Sequence, residues 1–439
     1  MPETPQTLKG FRDFLPEEKR KRDYVSSKMR AVFERHGFAP LETPTLEYAS
    51  LLLGKYGDEA DKLVYTFEDR GERRVGLRYD QTVPTARVLA QYQHALPRYF
   101  RRYQIQNVFR ADKPQKGRYR EFTQCDCDVF GSLSPLADAE ILAVYYAVFK
   151  EIGLDSIVIE LNDRQTLIKN FDEYTSGEVT VYSIIQSIDK LDKVSPEEVE
   201  NELVEKGLEP QVAKAIRNRI IAIQANSLDS KNISSNLDEI IKSAMKLGVP
   251  KENLKINPTL ARGLDYYTGM IFEGKIPEYT VGSVGGGGRY DNLVRDLSGF
   301  EMPAVGFGIG FDRTVEAADQ LGVIPSDGQD TQVLVAVLSE EDVAASLEAT
   351  RVLREAGVRV ELYPAIDKLA KQFKLADQKK VPFVVVIGEN ERAAGKVTVK
   401  NMRNGEQKQL NLNAQIQELI VDIQLSSKIL PMELGKKLD

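Results

Sequence analysis

Arg110, Asp112, Arg118, Phe122, Gln124 and Asp128 fall within one short stretch and offer groups suited to a charged, nucleotide-like ligand. Guanidinium groups make charge-assisted, often bidentate bonds to phosphate oxygens. Carboxylates and an amide beside them suit an ammonium or an N–H donor. Upstream, Tyr99 to Phe109 mixes aromatic and β-branched residues with arginines, and downstream Glu121 to Phe130 alternates with a period of two, so both flanks are predicted strands. The loop between them holds Pro114 and Gly117 and is too long for a tight hairpin turn. On the second strand Phe122, Gln124, Asp126 and Asp128 share one face. A ring, an amide and two carboxylates make a poor wall for a hydrophobic core. The loop sets Lys113, Lys116, Arg118 and Arg120 around Asp112; on charge alone it reads equally as a solvated basic hairpin.

Composition limits what else can do chemistry. With 439 residues the chain has room for two or three domains with ample core. Hydrophobic residues make up 42% and charged residues 28%, as in a soluble globular protein. No stretch approaches the ~20 apolar residues of a membrane span, and the Met-Pro-Glu-Thr-Pro start has no apolar signal region, so a cytoplasmic protein without membrane association is expected. The net charge of −7 argues against indiscriminate coating of nucleic acid but leaves room for local basic surfaces. His36 and His94 are the only histidines, which disfavours a histidine-based triad or metal cluster. Cys125 and Cys127 would point the same way on a strand, and a lone C-x-C pair is a poor zinc site, so a buried apolar role in a reducing compartment is expected. No metal site is expected. The chemistry must run on Arg, Asp, Glu, Gln and Tyr.

The elements that position these groups follow in order. Pro16-Glu17-Glu18 opens a helix with Val25, Met29, Val32 and Phe33 on its apolar face and a stop at Gly37. A proline-interrupted extended segment, Phe38 to Pro44, comes next. Val64–Phe67 and Arg74–Tyr79 read as paired strands, leading through Asp80-Gln81-Thr82-Val83-Pro84 into a helix that Asp80 or Thr82 could simply cap. Ser134-Pro135 starts a long helix ended by Gly153, and Ile157–Leu161 is a buried strand. Residues 171–254 turn polar and helical, with a capping box at Ser195-Pro196-Glu197-Glu198, and read as an α-helical insertion. The glycine runs at 285–288 and 306–310 fit neither a P-loop nor a dinucleotide fingerprint, and are read as close backbone packing beside a ligand. After a boundary near Ile324 to Gly328, strands and helices alternate in β-α-β-α-β order, which predicts a small α/β domain with a mostly parallel sheet. Residues 426–439 read as a helical or loose tail.

The stretch from Phe109 to Gly131 closely resembles motif 2 of the class II aminoacyl-tRNA synthetases in its histidyl-tRNA synthetase form. Pro16 to Pro44 resembles motif 1, which in that family builds a homodimer interface. Leu260-Ala261-Arg262-Gly263-Leu264-Asp265-Tyr266-Tyr267 and Ser283 to Asp291 resemble the two histidine-specific signatures, and Ala304 to Arg313 resembles motif 3. Leu369 to Lys374 and Lys396 to Met402 resemble the family's anticodon-binding domain. Asp80, Asp112 and Asp128 stand where bacterial members often have Glu, and the Gln-Cys-Asp-x-Asp form looks more like archaeal and eukaryotic members.

The resemblance implies an α+β catalytic domain on an antiparallel sheet over residues 1–325, including the 171–254 insertion, an anticodon-binding α/β domain over 330–425, and the tail. It implies that L-histidine reacts with ATP, accompanied by Mg2+ and with no tightly bound cofactor, to give histidyl-adenylate and pyrophosphate. Histidine tRNA then accepts the histidyl group and AMP leaves. Attack of a carboxylate on the α-phosphate brings two anions together, so the protein must neutralise charge. By motif position Arg110 would hold the α-phosphate and Arg262 would stabilise charge there. Arg118 and Arg313 would hold the outer phosphates, Phe122 would stack on adenine, and Asp112 would reach its amino group. Asp80, Thr82 and Gln124 would take the histidine ammonium. Asp128 with Tyr266 and Tyr267 would read the imidazole, Tyr290 would close the pocket, and Lys113 and Gln115 would touch the tRNA acceptor end. The competing readings are a synthetase-like regulatory subunit of ATP phosphoribosyltransferase, which needs neither the arginine chemistry nor the C-terminal domain, and a synthetase for another amino acid.

Overall fold

Period-two alternation over Phe100–Phe109 and Glu121–Phe130 folds into a long antiparallel hairpin inside an eight-stranded sheet. The computed structural model describes residues 5–54, 61–114, 117–192, 194–225, 234–261, 267–325 and 331–428, in two compact units, Met1–Ile324 and Pro325–Asp439. Across the sheet of the first unit the strands are Ala39–Pro40, Phe100–Phe109, Glu121–Phe130, Ala304–Gly310, Gly285–Arg289, Met270–Lys275, Val158–Asp163 and Leu254–Ile256. Only the two outermost pairings are parallel.

One face of this sheet carries the core. Tyr103, Cys125, Cys127, Val129, Val305, Phe307 and Ile309 pack there with Met29 and Phe33 from one helix and Tyr145 and Phe149 from another. Each large apolar side chain so buried contributes roughly 1.5–3 kcal/mol, so the strands' alternate residues are pinned to the opposite face. Both cysteines are free and buried, and burial pushes their thiols well up. The first helix, Pro16–Arg35, has proline and two glutamates in its first turn and buries Val25, Met29, Val32 and Phe33. The second, Pro135–Ile152, starts where Ser134 accepts from the Leu136 N–H and stops at Gly153, whose φ of 98° is left-handed.

A helical segment leaves the sheet between Val158–Asp163 and Leu254–Ile256. Its helices include Pro196–Glu205, Pro210–Ala225 and Ser235–Lys246. The Ser195–Glu198 capping box fixes one helix start. Phe171, Ile184, Ile185, Leu203 and Ile216 belong to a separate apolar cluster, whereas Ser235–Lys246 puts Leu237, Ile240 and Ala244 into the sheet's own core beside the Pro135–Ile152 helix.

The second unit holds a five-stranded sheet ordered Val360–Leu362, Val333–Val335, Phe383–Val386, Val397–Asn401, Gln407–Leu410. The first three strands are parallel, joined through the helices Val343–Glu355 and Leu369–Gln378. An antiparallel hairpin continues the sheet, turning at Gly405, whose φ is 77°. No helix of the described residues is long and apolar enough to cross a membrane.

Candidate active site

The face opposite the core is a grid set by register. Across it, Arg102 pairs with Asp128, which pairs with Gly306, and Gly306 with Gly288. The next row runs Gln104, Asp126, Gly308, Gly286, and the next Gln106, Gln124, Gly310. Half the grid therefore carries polar side chains and half is bare backbone. The two halves need each other. A Cβ at Gly306 would overlap the Asp128 carboxylate, and one at Gly308 would come 3.0 Å from Asp126 Oδ1 and 3.3 Å from Gln124 Nε2. Glycine thus gives the acidic side chains room to lean over the neighbouring strand.

Two adjoining hollows lie on this grid. An outer cleft of ≈ 620 Å³ is lined by Arg110, Asp112, Arg118, Phe122, Asp312 and Arg313, among others. An inner chamber of ≈ 200 Å³ is lined by Thr82, Asp126, Asp128, Tyr267, Tyr290 and the Gly306–Gly308 backbone. Arg110, Gln124 and Gly308 line both, so a ligand in one can meet a ligand in the other at these three residues.

The inner chamber is acidic and deeply buried. Arg102 Nη2 lies 2.7 Å from Asp128 Oδ2 and 4.0 Å from Asp126 Oδ2. Burial alone would depress the Arg102 guanidinium, but Asp128 and Asp126 outweigh it and hold it above its ordinary value. Burial raises Asp128 against the pull of Arg102, and pushes Asp126 up to about 7. The Tyr290 hydroxyl donates to Asp128 Oδ1, and burial raises this phenol well above its ordinary range, so it stays a donor. Tyr267 meets the Tyr290 ring edge-on. Gln124 Nε2 donates to Asp126 Oδ2 at 3.3 Å, while Gln124 Oε1 and Asp126 Oδ1 are buried without a hydrogen-bond partner. Gln81, buried below, donates to the Gln106 and Gln124 carbonyls and ties the Thr82–Tyr92 helix to the hairpin. Such an arrangement can take a small cation or a ligand rich in N–H groups.

The outer cleft is cationic. Arg110 donates through Nε to the Tyr79 carbonyl and lies over both the Tyr79 and Phe122 rings, with centroids at 4.3 and 5.2 Å. Arg313 Nη1 donates to the Ser283 carbonyl at 2.9 Å. Its neighbour Asp312 is held from the chain's start: Arg12 Nη2 is 3.1 Å away and Arg22 also pairs with it. Asp312 accepts from the Thr123 N–H as well, and Arg12 stacks on the Tyr119 ring at 3.3 Å. The Arg120 N–H donates to the Gly10 carbonyl. The N-terminal segment therefore braces the loop base and the cleft wall together.

Of the residues singled out from sequence, Arg110, Asp112, Arg118, Phe122, Gln124 and Arg313 line the outer cleft, and Arg110, Thr82, Gln124, Asp128, Tyr267 and Tyr290 line the inner chamber. Asp80 accepts from the Val83 N–H at 3.1 Å, as a helix-capping carboxylate does. Lys113 is exposed on the loop. Arg262, Tyr266 and Gln115 lie outside the described residues. Sequence reasoning gave no role to Arg102, Gln81 or Asp126. The signal for Arg102 was present: Arg102, Gln104 and Gln106 put polar groups at alternate positions of a strand otherwise rich in aromatic and aliphatic residues. Only the hairpin register shows that they face Asp128, Asp126 and Gln124.

Comparison with known proteins covers most of the chain. The family model "Histidyl-tRNA synthetase" matches residues 10–314 and the "Anticodon binding domain" model matches residues 332–421. The histidine–tRNA ligase of Wolinella succinogenes is 40% identical over 92% of this chain and 95% of its own length. That of Christiangramia forsetii is 38% identical over 94% of this chain and 98% of its own. The crystal structure of histidyl-tRNA synthetase from Nostoc sp. superposes with a TM-score of 0.80 at 32% identity, covering 96% of this chain and 99% of that one.

Proposed function

The chain belongs to the histidyl-tRNA synthetase family and charges histidine tRNA with L-histidine using ATP, and we propose that its two hollows divide that reaction between them. ATP, with the magnesium that accompanies it as substrate, takes the outer cleft. L-histidine takes the inner chamber. The observation that carries this division is the shared lining of Arg110, Gln124 and Gly308, where the histidine carboxylate and the α-phosphate would meet.

In this assignment Arg110 neutralises charge between the two anions, and its place over Tyr79 and Phe122 holds it oriented before either substrate arrives. Arg262 completes the neutralisation. Arg118 and Arg313 take the outer phosphates, Phe122 carries the adenine, and Asp112 accepts from its amino group. Thr82, Asp80 and Gln124 take the ammonium group. Asp128, Tyr266, Tyr267 and Tyr290 surround the ring.

Residues 1–325, with the 171–254 insertion, form the catalytic domain in this reading; 330–425 bind the anticodon, 426–439 are a tail, and Lys113 and Gln115 meet the acceptor end. A homodimer is supported by the small sheet of Leu46–Tyr48, Arg74–Leu77 and Thr66–Glu68, which exposes Leu46, Tyr48 and Phe67. A cytoplasmic location fits the two free cysteines. The deciding experiment is ATP–pyrophosphate exchange without tRNA across the twenty amino acids. Exchange with histidine alone is expected. Histidine binding without exchange would overturn the assignment of the outer cleft.

A further inference from the structure

Resting on the placement of histidine in the inner chamber, we propose that Asp126 is a second ring-reading carboxylate, and that Asp126 and Asp128 together bind the substrate as its imidazolium, each accepting one ring N–H.

The chamber holds one carboxyl group more than Arg102 needs. Arg102 already has Asp128 at 2.7 Å, and Asp126 stands off at 4.0 Å. A carboxylate kept only to neutralise Arg102 would stand as close to it as Asp128 does, because buried charges are costly unless paired. Asp126 is 3% exposed, its Oδ1 has no partner, and its one neutral donor, Gln124 Nε2, reaches the other oxygen at 3.3 Å. Across from it is Gly308, with no side chain to fill the space. A ligand donor is what this oxygen lacks.

The spacing then selects the donor. Asp126 and Asp128 are two residues apart on one strand, so their side chains rise from points roughly 7 Å apart. A small ring with two diverging N–H groups, each about 2.8 Å from its acceptor, bridges such a gap. Neutral imidazole has one N–H donor and one acceptor nitrogen; only the imidazolium donates at both. Arg102, Asp128, Asp80 and Gln124 face Asp126 from the strands and the helix start around it, and Arg110, Tyr267 and Tyr290 complete the chamber. With Asp126 held near 7, mainly by burial, a protonated Asp126 can pass its proton to the incoming ring, and an Asp126 already ionised, as at pH 8, pairs with a ring that takes its proton from solvent; both routes leave carboxylate and imidazolium. No net charge is created in the buried site by the direct transfer. A neutral five-membered ring of low basicity gains nothing from it.

The test is the 15N spectrum of ring-labelled histidine bound to the full chain at pH 8, where the free ring is neutral. Both nitrogens are expected at imidazolium positions in the wild type, and the charge is expected to be lost in Asp126→Asn. One bare ring nitrogen in the wild type overturns the proposal while leaving the chamber as the histidine site. A charged ring that stays charged in Asp126→Asn removes Asp126 from the role. No bound spectrum at all removes histidine from the chamber, and with it the reading underneath. Affinity for 1,2,4-triazol-3-ylalanine, whose ring is far less basic, gives a second readout that does not depend on comparing folds. Asp126→Asn is expected to weaken histidine roughly 10- to 100-fold, the scale of one charged hydrogen bond, and triazolylalanine much less. Equal losses for the two ligands would overturn the proposal.

Discussion

Arg102 and Asp128 stand opposite each other on adjacent strands, Nη2 2.7 Å from Oδ2, both buried. The pair explains how a carboxylate survives in a chamber with so little solvent. It also fixes the direction of Asp128, whose other oxygen accepts from Tyr290. The chamber is thus charged and oriented before a ligand enters, which lowers the reorganisation that binding and reaction must otherwise supply.

Removing the guanidinium should therefore unfold more than it unbinds. Arg102→Met leaves Asp126 and Asp128 facing each other without compensation, and a broken buried pair costs about 3–5 kcal/mol. Urea denaturation of the ligand-free protein measures it. A loss below about 1 kcal/mol would mean that Asp128 finds another partner.

The glycine half of the grid predicts a graded pair of variants. Gly306→Ala drives a methyl into the Asp128 carboxylate, whereas Gly308→Ala meets Asp126 Oδ1 at 3.0 Å, a contact a small side-chain shift can relieve. Overpacking of this kind costs about 1–3 kcal/mol. Gly306→Ala should raise the KM for histidine well above that for ATP, and Gly308→Ala should do so less. Steady-state pyrophosphate exchange checks both, and the reverse order would show that the grid is read wrongly.

Asp126 makes the ligand-free fold sensitive to pH. Its carboxyl sits at about 7 in the folded chain, with burial the main cause, against about 3.9 when unfolded. The folded state therefore binds the extra proton between these values, and stability contributed by that proton is present below pH 4 and lost as pH rises through 7. Asp126→Asn lacks the titration. The melting temperature of Asp126→Asn minus that of the wild type should grow between pH 5 and pH 8, measured without histidine. A constant difference would place the Asp126 pKa outside that window.

Asp312 links the start of the chain to the cleft wall beside Arg313. Arg22 pairs with it and also donates to Thr123 Oγ1 at 2.7 Å. Arg22→Met should loosen the wall without touching the inner chamber. The KM for ATP is expected to rise about tenfold, the equivalent of one charge-assisted hydrogen bond, with the histidine Kd changed by less than about twofold. Equal changes in both would mean that the brace supports the whole sheet instead.

The hairpin and the first helices were legible because their signals are local. Pro16, Ser134, Gly37 and Gly153 mark ends that the structure keeps, and the alternation of Glu121–Phe130 sorts Cys125 and Cys127 from Asp126 and Asp128. Arg102 was not legible, since nothing in one strand states which residue of another lies beside it. The turn of the last sheet from parallel to antiparallel pairing was not read for a similar reason: Gly405 marks a turn, but Gln407–Leu410, the edge strand after it, is short and polar. Resemblance to the family's motif supplied roles for Gln124 and Asp128, yet passed over Asp126 between them, whose weight comes from burial and from charges on two strands and a helix start.

Lys113 tests the surface beyond the two hollows. It is exposed on the loop between the hairpin strands, beside the mouth residues Asp112 and Arg118. An exposed lysine that meets a phosphate acts mainly by releasing a counterion, so its loss should weaken tRNA binding at low salt more than at high salt. Lys113→Ala is expected to make the slope of log affinity against log salt shallower by about one. Filter binding with histidine tRNA from low to moderate salt measures it. An unchanged slope with unchanged affinity would move the acceptor end away from this loop, and the basic hairpin would then be the solvated surface that its charge alone suggests.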